Sequence, residues 1–206
     1  MIGIPVLIIG KSGSGKSSSL RNFNENEICL INAANKPLPF QKKFDETYNT
    51  DDYDAINGIM TSTEKPIIVI DDAGYLIVNH FMRGHTSGGG GNAIFSFYNK
   101  LADEFWQLIE SAKRIENKII YICMHEQSDD FGNCKPKTIG KLLDDKVCIE
   151  GMFTISLRSI RDKSGYWFVT NSDGLCSSKS PFGMFESQIV QNDLKSVTET
   201  IRGFYG

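Results

Sequence analysis

Residues 10–17 read Gly10-Lys11-Ser12-Gly13-Ser14-Gly15-Lys16-Ser17, and Ser18 follows them directly. This stretch matches the spacing G-x-x-x-x-G-K-[ST] at every position. The apolar residues 4–9 that precede it are typical of a buried strand, and we predict a helix over residues 16–22. A strand, a glycine-rich turn and a helix in this order are the setting that the spacing requires.

The loop has the composition of a phosphate-binding site. Gly13 and Gly15 permit backbone conformations in which successive N–H groups converge on an anion, and the positive end of the following helix adds to the attraction. Lys16 is expected to contact the β- and γ-phosphates of a nucleoside triphosphate, and the Ser17 hydroxyl to ligate Mg²⁺. No N-K-x-D sequence for guanine follows, so we expect ATP with Mg²⁺ as the ligands of residues 10–18.

A second, acidic element supports magnesium binding. Residues 67–70 are the apolar run Ile-Ile-Val-Ile, and Asp71 and Asp72 come directly after it. An apolar strand that ends in an acid is the usual partner of such a loop, so Asp71 is expected to orient Mg²⁺. Asp72 is the candidate general base for the attacking water. The alternative is that both acids only cap the next helix.

Apolar runs and helical patterns alternate along the chain. Four runs, nearly continuous in apolar character as strands covered on both faces are, occupy residues 4–9, 28–31, 66–70 and 119–124. Helical patterns occupy residues 16–22, 52–61 and 93–115. Two further strands, joined by a turn, occupy residues 153–157 and 166–170. The sequence predicts one α/β domain over residues 1–206, with a mostly parallel central sheet flanked by helices and an antiparallel C-terminal hairpin extension.

Composition excludes several classes of protein. Of the 206 residues, 40% are hydrophobic and 23% charged, close to globular averages, which argues against a disordered or coiled-coil chain. The net charge of −3 gives no global basic field for nucleic acid. The apolar run at residues 4–9 is too short to span a membrane, and we expect no membrane partner. Five scattered cysteines without C-x-x-C spacing indicate reduced thiols in a cytoplasmic protein, in the host cytoplasm if a phage encodes it.

These elements together resemble a RecA-type P-loop ATPase core, and most closely the compact phage ATPases that accompany single-strand annealing recombination. The resemblance implies a RecA-like sheet and magnesium-dependent hydrolysis of ATP. RecA itself carries its catalytic glutamate at the end of a different strand, and no acid ends residues 28–31 here. The resemblance spans nearly the whole chain, through residues 4–18, 31–32 with 36–40, 67–74, 123–126 and 170–185.

The resemblance also implies roles for residues outside the two motifs. His125 stands where RecA-like cores keep a polar sensor of the γ-phosphate, although a simple strand-end cap is an equal alternative. Glu126 is a second candidate for positioning water. Lys179 is the candidate for a basic finger that completes the ATP site of a neighbouring subunit in a homo-oligomer, with Arg158 and Arg161 as rivals.

Single-stranded DNA is the partner that the resemblance implies. Two segments correspond to those that contact DNA in RecA-like cores: residues 82–92 and residues 127–137. Four consecutive glycines predict a mobile loop over residues 83–92. The alternative is two surface loops that bind no DNA, since acids at residues 129–130 weaken any basic patch. The candidates for DNA contact are Arg83, His85, Lys135, Lys137 and the aromatic Phe131.

The expected function is hydrolysis of ATP in phage-type DNA metabolism, in recombination or annealing of single strands. A DNA-packaging or helicase-loading ATPase has the same core and is an open alternative. A nucleotide-dependent switch without fast hydrolysis is another, because Asp72 is one carbon shorter than the usual glutamate. A small-molecule kinase is disfavoured because residues 83–92 carry one arginine, whereas a lid over phosphates needs several.

Overall fold

The computed structural model describes residues 3–85, 92–139, 147–172, 174 and 176–206, which form an α/β structure around one mixed sheet. Its strands are β1 (Ile4–Gly10), β2 (Ile28–Asn32), β3 (Glu46–Tyr48), β4 (Ile67–Asp71), β5 (Ile119–Ser128), β6 (Cys134–Pro136), β7 (Ile155–Arg161), β8 (Tyr166–Val169) and β9 (Ile189–Gln191). Its helices are α1 (Tyr53–Ser62), α2 (Gly74–Gly84), α3 (Asn92–Arg114) and α4 (Leu194–Tyr205), with 3₁₀ turns at Ser17–Leu20 and Glu150–Met152.

The sheet is mostly parallel, with an antiparallel C-terminal part. Its strand order is β3-β2-β4-β5-β1-β7-β8-β9, and β6 pairs with the end of β5. All pairs from β3 to β7 in this order are parallel, whereas the pairs of β7 with β8 and of β8 with β9 are antiparallel. The predicted parallel sheet and C-terminal hairpin are therefore confirmed. Because β5 lies between β1 and β4, the carboxyl ends of these three strands meet at one edge, with Gly10 opposite His125.

Both faces of the central strands are buried, which explains why their sequences are continuously apolar. Along β1, Leu7 and Ile9 pack on the face covered by α1, α2 and α3, while Val6 and Ile8 pack on the opposite face. The second face is covered by α4 and the 3₁₀ turn Ser17–Leu20. In the described part of the chain, no helix is both long and apolar enough to cross a membrane.

A buried pair of hydroxyls connects α4 to the central strand β5. The Tyr121 hydroxyl lies 2.7 Å from Thr198 Oγ1, and Thr198 Oγ1 also donates to the Leu194 carbonyl at 2.7 Å. Both side chains are fully buried or nearly so. Since Thr198 donates its proton to Leu194, the Tyr121 hydroxyl donates to Thr198, which is thus its acceptor.

We expect Thr198→Val to destabilise the protein more than Tyr121→Phe. The valine keeps the shape of threonine but leaves the Tyr121 hydroxyl buried without an acceptor, at a cost of about 1–3 kcal/mol. The phenylalanine removes the hydroxyl itself and leaves Thr198 bonded to Leu194, at a cost of about 1 kcal/mol. Urea unfolding followed by circular dichroism measures both. Equal losses, or a larger loss for Tyr121→Phe, would show that this hydroxyl pair does not anchor α4.

Two sequence-based predictions about local structure are wrong. The helix predicted over residues 16–22 is only the short 3₁₀ turn Ser17–Leu20. One of its serines competes with a regular helix for the nearby backbone, since Ser19 Oγ donates to the Lys16 carbonyl at 2.5 Å. The other error concerns the cysteines.

The predicted mobile loop over residues 83–92 begins and ends within helices. Arg83 and Gly84 form the last turn of α2, which the sequence patterns did not reveal, and Asn92 begins α3. Arg83 also donates to Asp51 at 2.9 Å. Residues 86–91, with the four glycines, lie outside the described residues.

The expectation that all cysteines are reduced is wrong for one pair. Cys134 in β6 and Cys176 form a disulfide, which joins the hairpin of β5 and β6 to the segment that precedes β9. Cys29 and Cys123 are free and buried in the sheet.

Candidate functional site

The glycine-rich loop (residues 10–17) curls at the carboxyl end of β1. Gly13 has φ 75° and Gly15 has φ 107°, backbone conformations that L side chains rarely adopt. A Cβ at Gly15 would also lie 2.7 Å from the ring of Tyr166. The glycines at these two positions therefore permit both the turn and the close approach of β8.

The C-terminal strands brace this loop from behind. Ser159 in β7 donates to the Ser14 carbonyl at 2.8 Å, and the buried Asn192 amide donates to Ser159 Oγ at 3.1 Å. Arg21, just after the loop, donates to the Asn192 carbonyl at 2.8 Å. The antiparallel extension thus has a direct structural role at the site.

Lys16 is folded back over the loop and is only 5% exposed. Its ammonium donates to the carbonyls of Gly10 at 2.9 Å and Lys11 at 3.0 Å. It also lies 3.3 Å from His125 Nδ1. Burial lowers the pKa of Lys16, and the neighbouring acids offset only part of that effect. The site therefore holds a partly desolvated positive charge at the carboxyl edge of the sheet.

Asp71 ends β4 and is 5% exposed. Among the described residues, its Oδ1 atom has no hydrogen-bond partner. Burial raises the pKa of Asp71, while a hydrogen bond from the Ser17 side chain and the charge of Lys16 oppose that rise. A buried carboxylate oxygen without a donor, next to a serine hydroxyl, fits a hard cation such as Mg²⁺.

Asp72 has φ 56°, an uncommon conformation for a residue other than glycine. Its Oδ2 atom lies 2.6 Å from the Lys36 ammonium, and its Oδ1 atom lies 3.5 Å from His125 Nε2. Lys36 also stands over the ring of Tyr75, 4.7 Å from its centroid. Both carboxylate oxygens of the predicted general base therefore face a partner within this chain.

His125 connects the loop to the acids. Burial and the charge of Lys16 lower the pKa of His125, which favours the neutral imidazole. The Lys16 ammonium can only donate, so Nδ1 is the acceptor and Nε2 carries the proton that faces Asp72. The result is a continuous chain of polar groups in the order Lys16, His125, Asp72 and Lys36.

These groups line one cavity of about 330 Å³ at the carboxyl edge of the sheet. Arg161 and Tyr166 also line it, with the guanidinium carbon of Arg161 5.0 Å from the centroid of the Tyr166 ring. The lining residues are Ser12, Gly13, Gly15, Lys16, Ser17, Ser18, Asn32, Lys36, Pro37, Pro39, Asp71, Asp72, His125, Arg161 and Tyr166.

The structure brings together most of the predicted site residues but not all of them. Lys16, Ser17, Asp71, Asp72 and His125 share the cavity, whereas Gly10, Lys11 and Ser14 support the loop behind it. The described residues that line the cavity do not include Glu126 or Lys179.

Glu126 and Lys179 lie elsewhere. Glu126 is bound by Arg158, whose Nε and Nη2 atoms each donate to one carboxylate oxygen at 2.8 Å. Lys179 pairs through its backbone with Ser156, at 2.8 Å in both directions, near the start of β7. Any role of Lys179 in a neighbouring subunit remains a prediction, and Arg158 is engaged within its own chain.

Lys36 is a cavity residue to which the sequence patterns assigned no role. Asn32 ends β2, its amide donates to the Lys36 carbonyl at 2.7 Å, and Asn35 adopts φ 51° between them. This tight turn places Lys36 next to the end of β2. The signal in the sequence was the pair of asparagines before Pro37, since asparagine tolerates left-handed turns.

The segment over residues 127–137, predicted to be a loop, is a hairpin of β5 and β6. Phe131 stands near its tip and is 86% exposed. At the base of the hairpin, the Lys137 backbone N–H donates to the His125 carbonyl at 2.7 Å. The base of the hairpin is therefore hydrogen-bonded to the backbone of His125.

The comparisons with known proteins add no family. No family model matches the chain, and no curated protein matches it. Within the described residues, no group of three or more His, Cys, Asp or Glu side chains could hold a metal ion. Mg²⁺ in nucleotide sites is commonly held by one or two side chains together with substrate phosphates, which suits Ser17 and Asp71.

Proposed function

We propose that this protein is a RecA-like P-loop ATPase that binds ATP with Mg²⁺ and hydrolyses the γ-phosphate. The observation that carries the proposal is the buried Asp71 oxygen without a hydrogen-bond donor among the described residues, in one cavity with Lys16 and Ser17. An orphaned buried carboxylate oxygen costs free energy unless a ligand completes it. The partly desolvated ammonium of Lys16 complements a polyanion in the same way.

The chain's own residues account for binding and positioning. The backbone N–H groups of the glycine-rich loop and the Lys16 ammonium hold the phosphates, and Ser17 and Asp71 hold Mg²⁺. Magnesium would neutralise charge that develops on the transferred phosphoryl group. Asp72 is the first choice to accept a proton from the attacking water, and the Nε2 proton of His125 faces that carboxylate.

The proposed setting is phage-type DNA metabolism, in recombination or annealing of single strands. The resemblance to phage annealing ATPases supports it, together with the exposed Phe131 on a hairpin bonded to the backbone of His125. An exposed aromatic ring can stack on an unpaired base. Through the hydrogen bond between Lys137 and His125, DNA bound to the hairpin would influence the position of His125 in the cavity.

We expect phosphate release from Mg·ATP to be stimulated by single-stranded DNA, and Phe131→Ala to weaken DNA binding. Loss of one stacking contact corresponds to about 1–3 kcal/mol, or roughly a 5- to 150-fold weaker affinity. Phe182→Ala is the matched control because Phe182 is also fully exposed but lies in another segment. Malachite-green phosphate assays and fluorescence anisotropy of labelled oligonucleotides measure the two effects.

The results separate the parts of the proposal. Turnover without any response to DNA would support an ATPase of another process, such as DNA packaging or helicase loading. Equal effects of Phe131→Ala and Phe182→Ala on DNA affinity would remove the hairpin from the DNA site. No nucleotide binding and no turnover under any condition would contradict the proposal as a whole.

A nucleotide-dependent switch is a second candidate. The observation in its favour is that both oxygens of Asp72 face partners, Lys36 at 2.6 Å and His125 at 3.5 Å. A carboxylate held in this way is a poor proton acceptor until it is released. Tight ATP binding with very slow turnover, with or without DNA, would favour the switch over the ATPase.

A further inference from the structure

Lys36 occupies a defined position although its side chain is 51% exposed. Its backbone is held by two hydrogen bonds with Asn32, at 2.7 Å and 3.3 Å. Its ammonium is held by the Asp72 carboxylate and the face of Tyr75. The end of β2 therefore presents a positive charge to the cavity, next to the candidate base.

The cavity thus contains two lysines on opposite sides of the acids. Lys16 comes from the glycine-rich loop at the end of β1, and Lys36 comes from the turn after β2. His125 and Asp72 lie between their ammonium groups in a chain of contacts of 3.3, 3.5 and 2.6 Å. An anion that enters this part of the cavity meets positive charge from both sides.

The ion pair between Lys36 and Asp72 is easily exchanged. The Lys36 side chain is 51% exposed and that of Asp72 11%. Solvent therefore reaches the ammonium and screens the pair, and the ordering of the long lysine side chain costs entropy. A phosphate carries more negative charge than one carboxylate and offers several acceptor oxygens, so it competes well for an ammonium group. The flexible stem of lysine allows its ammonium to move without moving the backbone.

We propose that Lys36 is a catalytic residue that contacts the terminal phosphate of the bound triphosphate and is held by Asp72 until that phosphate arrives. This inference rests on the proposed function and deepens it. The same movement that brings Lys36 to the phosphate frees one oxygen of Asp72 to accept a proton from water. Binding of the triphosphate would thereby activate the base, and the diphosphate would not. The positive charge is supplied by this chain, whereas the sequence led us to expect it from Lys179 of a neighbouring subunit.

The test compares two nucleotides that differ by the terminal phosphate. Isothermal titration with Mg²⁺ and either ADP or the imido analogue of ATP, which resists hydrolysis, measures both affinities. We expect Lys36→Met to weaken binding of the imido analogue about ten- to a hundredfold, the effect of losing one charged hydrogen bond. Binding of ADP should change by less than about twofold. Lys36→Arg should restore part of the preference because it restores the charge.

Two further variants make the outcome decisive. Lys43→Met is the matched control, since Lys43 is an exposed lysine of the same segment that does not line this cavity in the described structure, and both affinities should equal those of the wild type. Asp72→Asn removes the competing carboxylate, so it should bind the imido analogue at least as tightly as the wild type. Weaker binding by Asp72→Asn would contradict the exchange of Lys36 between the two anions.

The outcomes distinguish this inference from the proposed function. Equal losses for ADP and the imido analogue in Lys36→Met would mean that Lys36 only supports the structure, and would overturn the proposal. Unchanged affinities for both would do the same, while nucleotide binding by the wild type would keep the ATPase proposal intact. Failure of the wild type to bind either nucleotide would overturn both.

Discussion

Replacement of Lys16 by alanine is expected to reduce turnover of Mg·ATP at least about a hundredfold, the usual effect of removing one preorganised charge from a reaction site. The reason lies in the position of the ammonium. It is 5% exposed, folded over the glycine-rich loop, and bonded to two backbone carbonyls that a phosphate can replace. Lys36, which lines the same cavity, comes from the turn after β2 and is held by Asp72 rather than by the loop, so it should not compensate for the loss.

The Lys16→Ala variant should remain folded, because burial of this ammonium is itself unfavourable and lowers its pKa. A circular dichroism spectrum and a urea midpoint close to those of the wild type would establish this. Lys163→Ala, in the exposed turn between β7 and β8, is the matched control and should retain full turnover. If Lys16→Ala kept more than about a tenth of the wild-type rate, the glycine-rich loop would not be the phosphate site.

The sheet could be predicted from the sequence because its signals are local. The apolar runs at the positions of β1, β2, β4 and β5 reflect burial on both faces, and each strand begins within one residue of its prediction. The order of the strands could not be predicted, since no local pattern records which strand is the neighbour of another. The insertion of β5 between β1 and β4, which sets His125 opposite Gly10, came only from the structure.

The residues of the candidate site divide in the same way, into those that a local sequence pattern predicts and those that only the structure reveals. Lys16, Ser17 and Asp71 belong to patterns with fixed spacing, and they share one cavity. Lys36 belongs to no pattern, because its position depends on a left-handed turn at Asn35 and on hydrogen bonds across that turn. Such a turn is a property of tertiary packing as much as of the residue types.

The alternation of side chains along a strand could already have excluded Glu126 from the cavity. His125 and Glu126 are consecutive residues of β5, and successive side chains of a strand point to opposite faces. If His125 faces the cavity, Glu126 must face away from it. The structure places it there, with both oxygens bound by Arg158.

This pair leads to the largest stability effect that we expect. Glu126 is 1% exposed in its side chain, and Arg158 contacts it through two parallel hydrogen bonds of 2.8 Å. Glu126→Leu should remove the buried carboxylate that accepts both hydrogen bonds of the guanidinium, and Arg158→Met should leave that carboxylate without these two donors. Each change is expected to lower the free energy of unfolding by about 3 kcal/mol, at the lower end for a broken buried pair because Arg158 is partly exposed.

The double variant should be no less stable than either single variant, because it leaves no unpaired charge. Urea unfolding without nucleotide gives the coupling free energy of the pair, which we expect to be about 2–3 kcal/mol. The i,i+4 pair of Lys100 and Glu104 in α3 is the control cycle, since Lys100 is largely exposed and should couple by less than about 0.5 kcal/mol. Additive losses at Glu126 and Arg158 would contradict a structural pair.

The same variants decide what Glu126 does in the reaction. Arg158 and Glu126 lie on the two strands that flank β1, and they meet beside its end, where the glycine-rich loop begins. The pair therefore stabilises the strand ends that support this loop. A structural role predicts that turnover of the double variant falls only as far as its stability does. If Glu126 instead positions the attacking water, the conservative Glu126→Gln variant should lose turnover while its urea midpoint remains near that of the wild type. Measuring turnover and unfolding on the same preparations therefore separates the two roles.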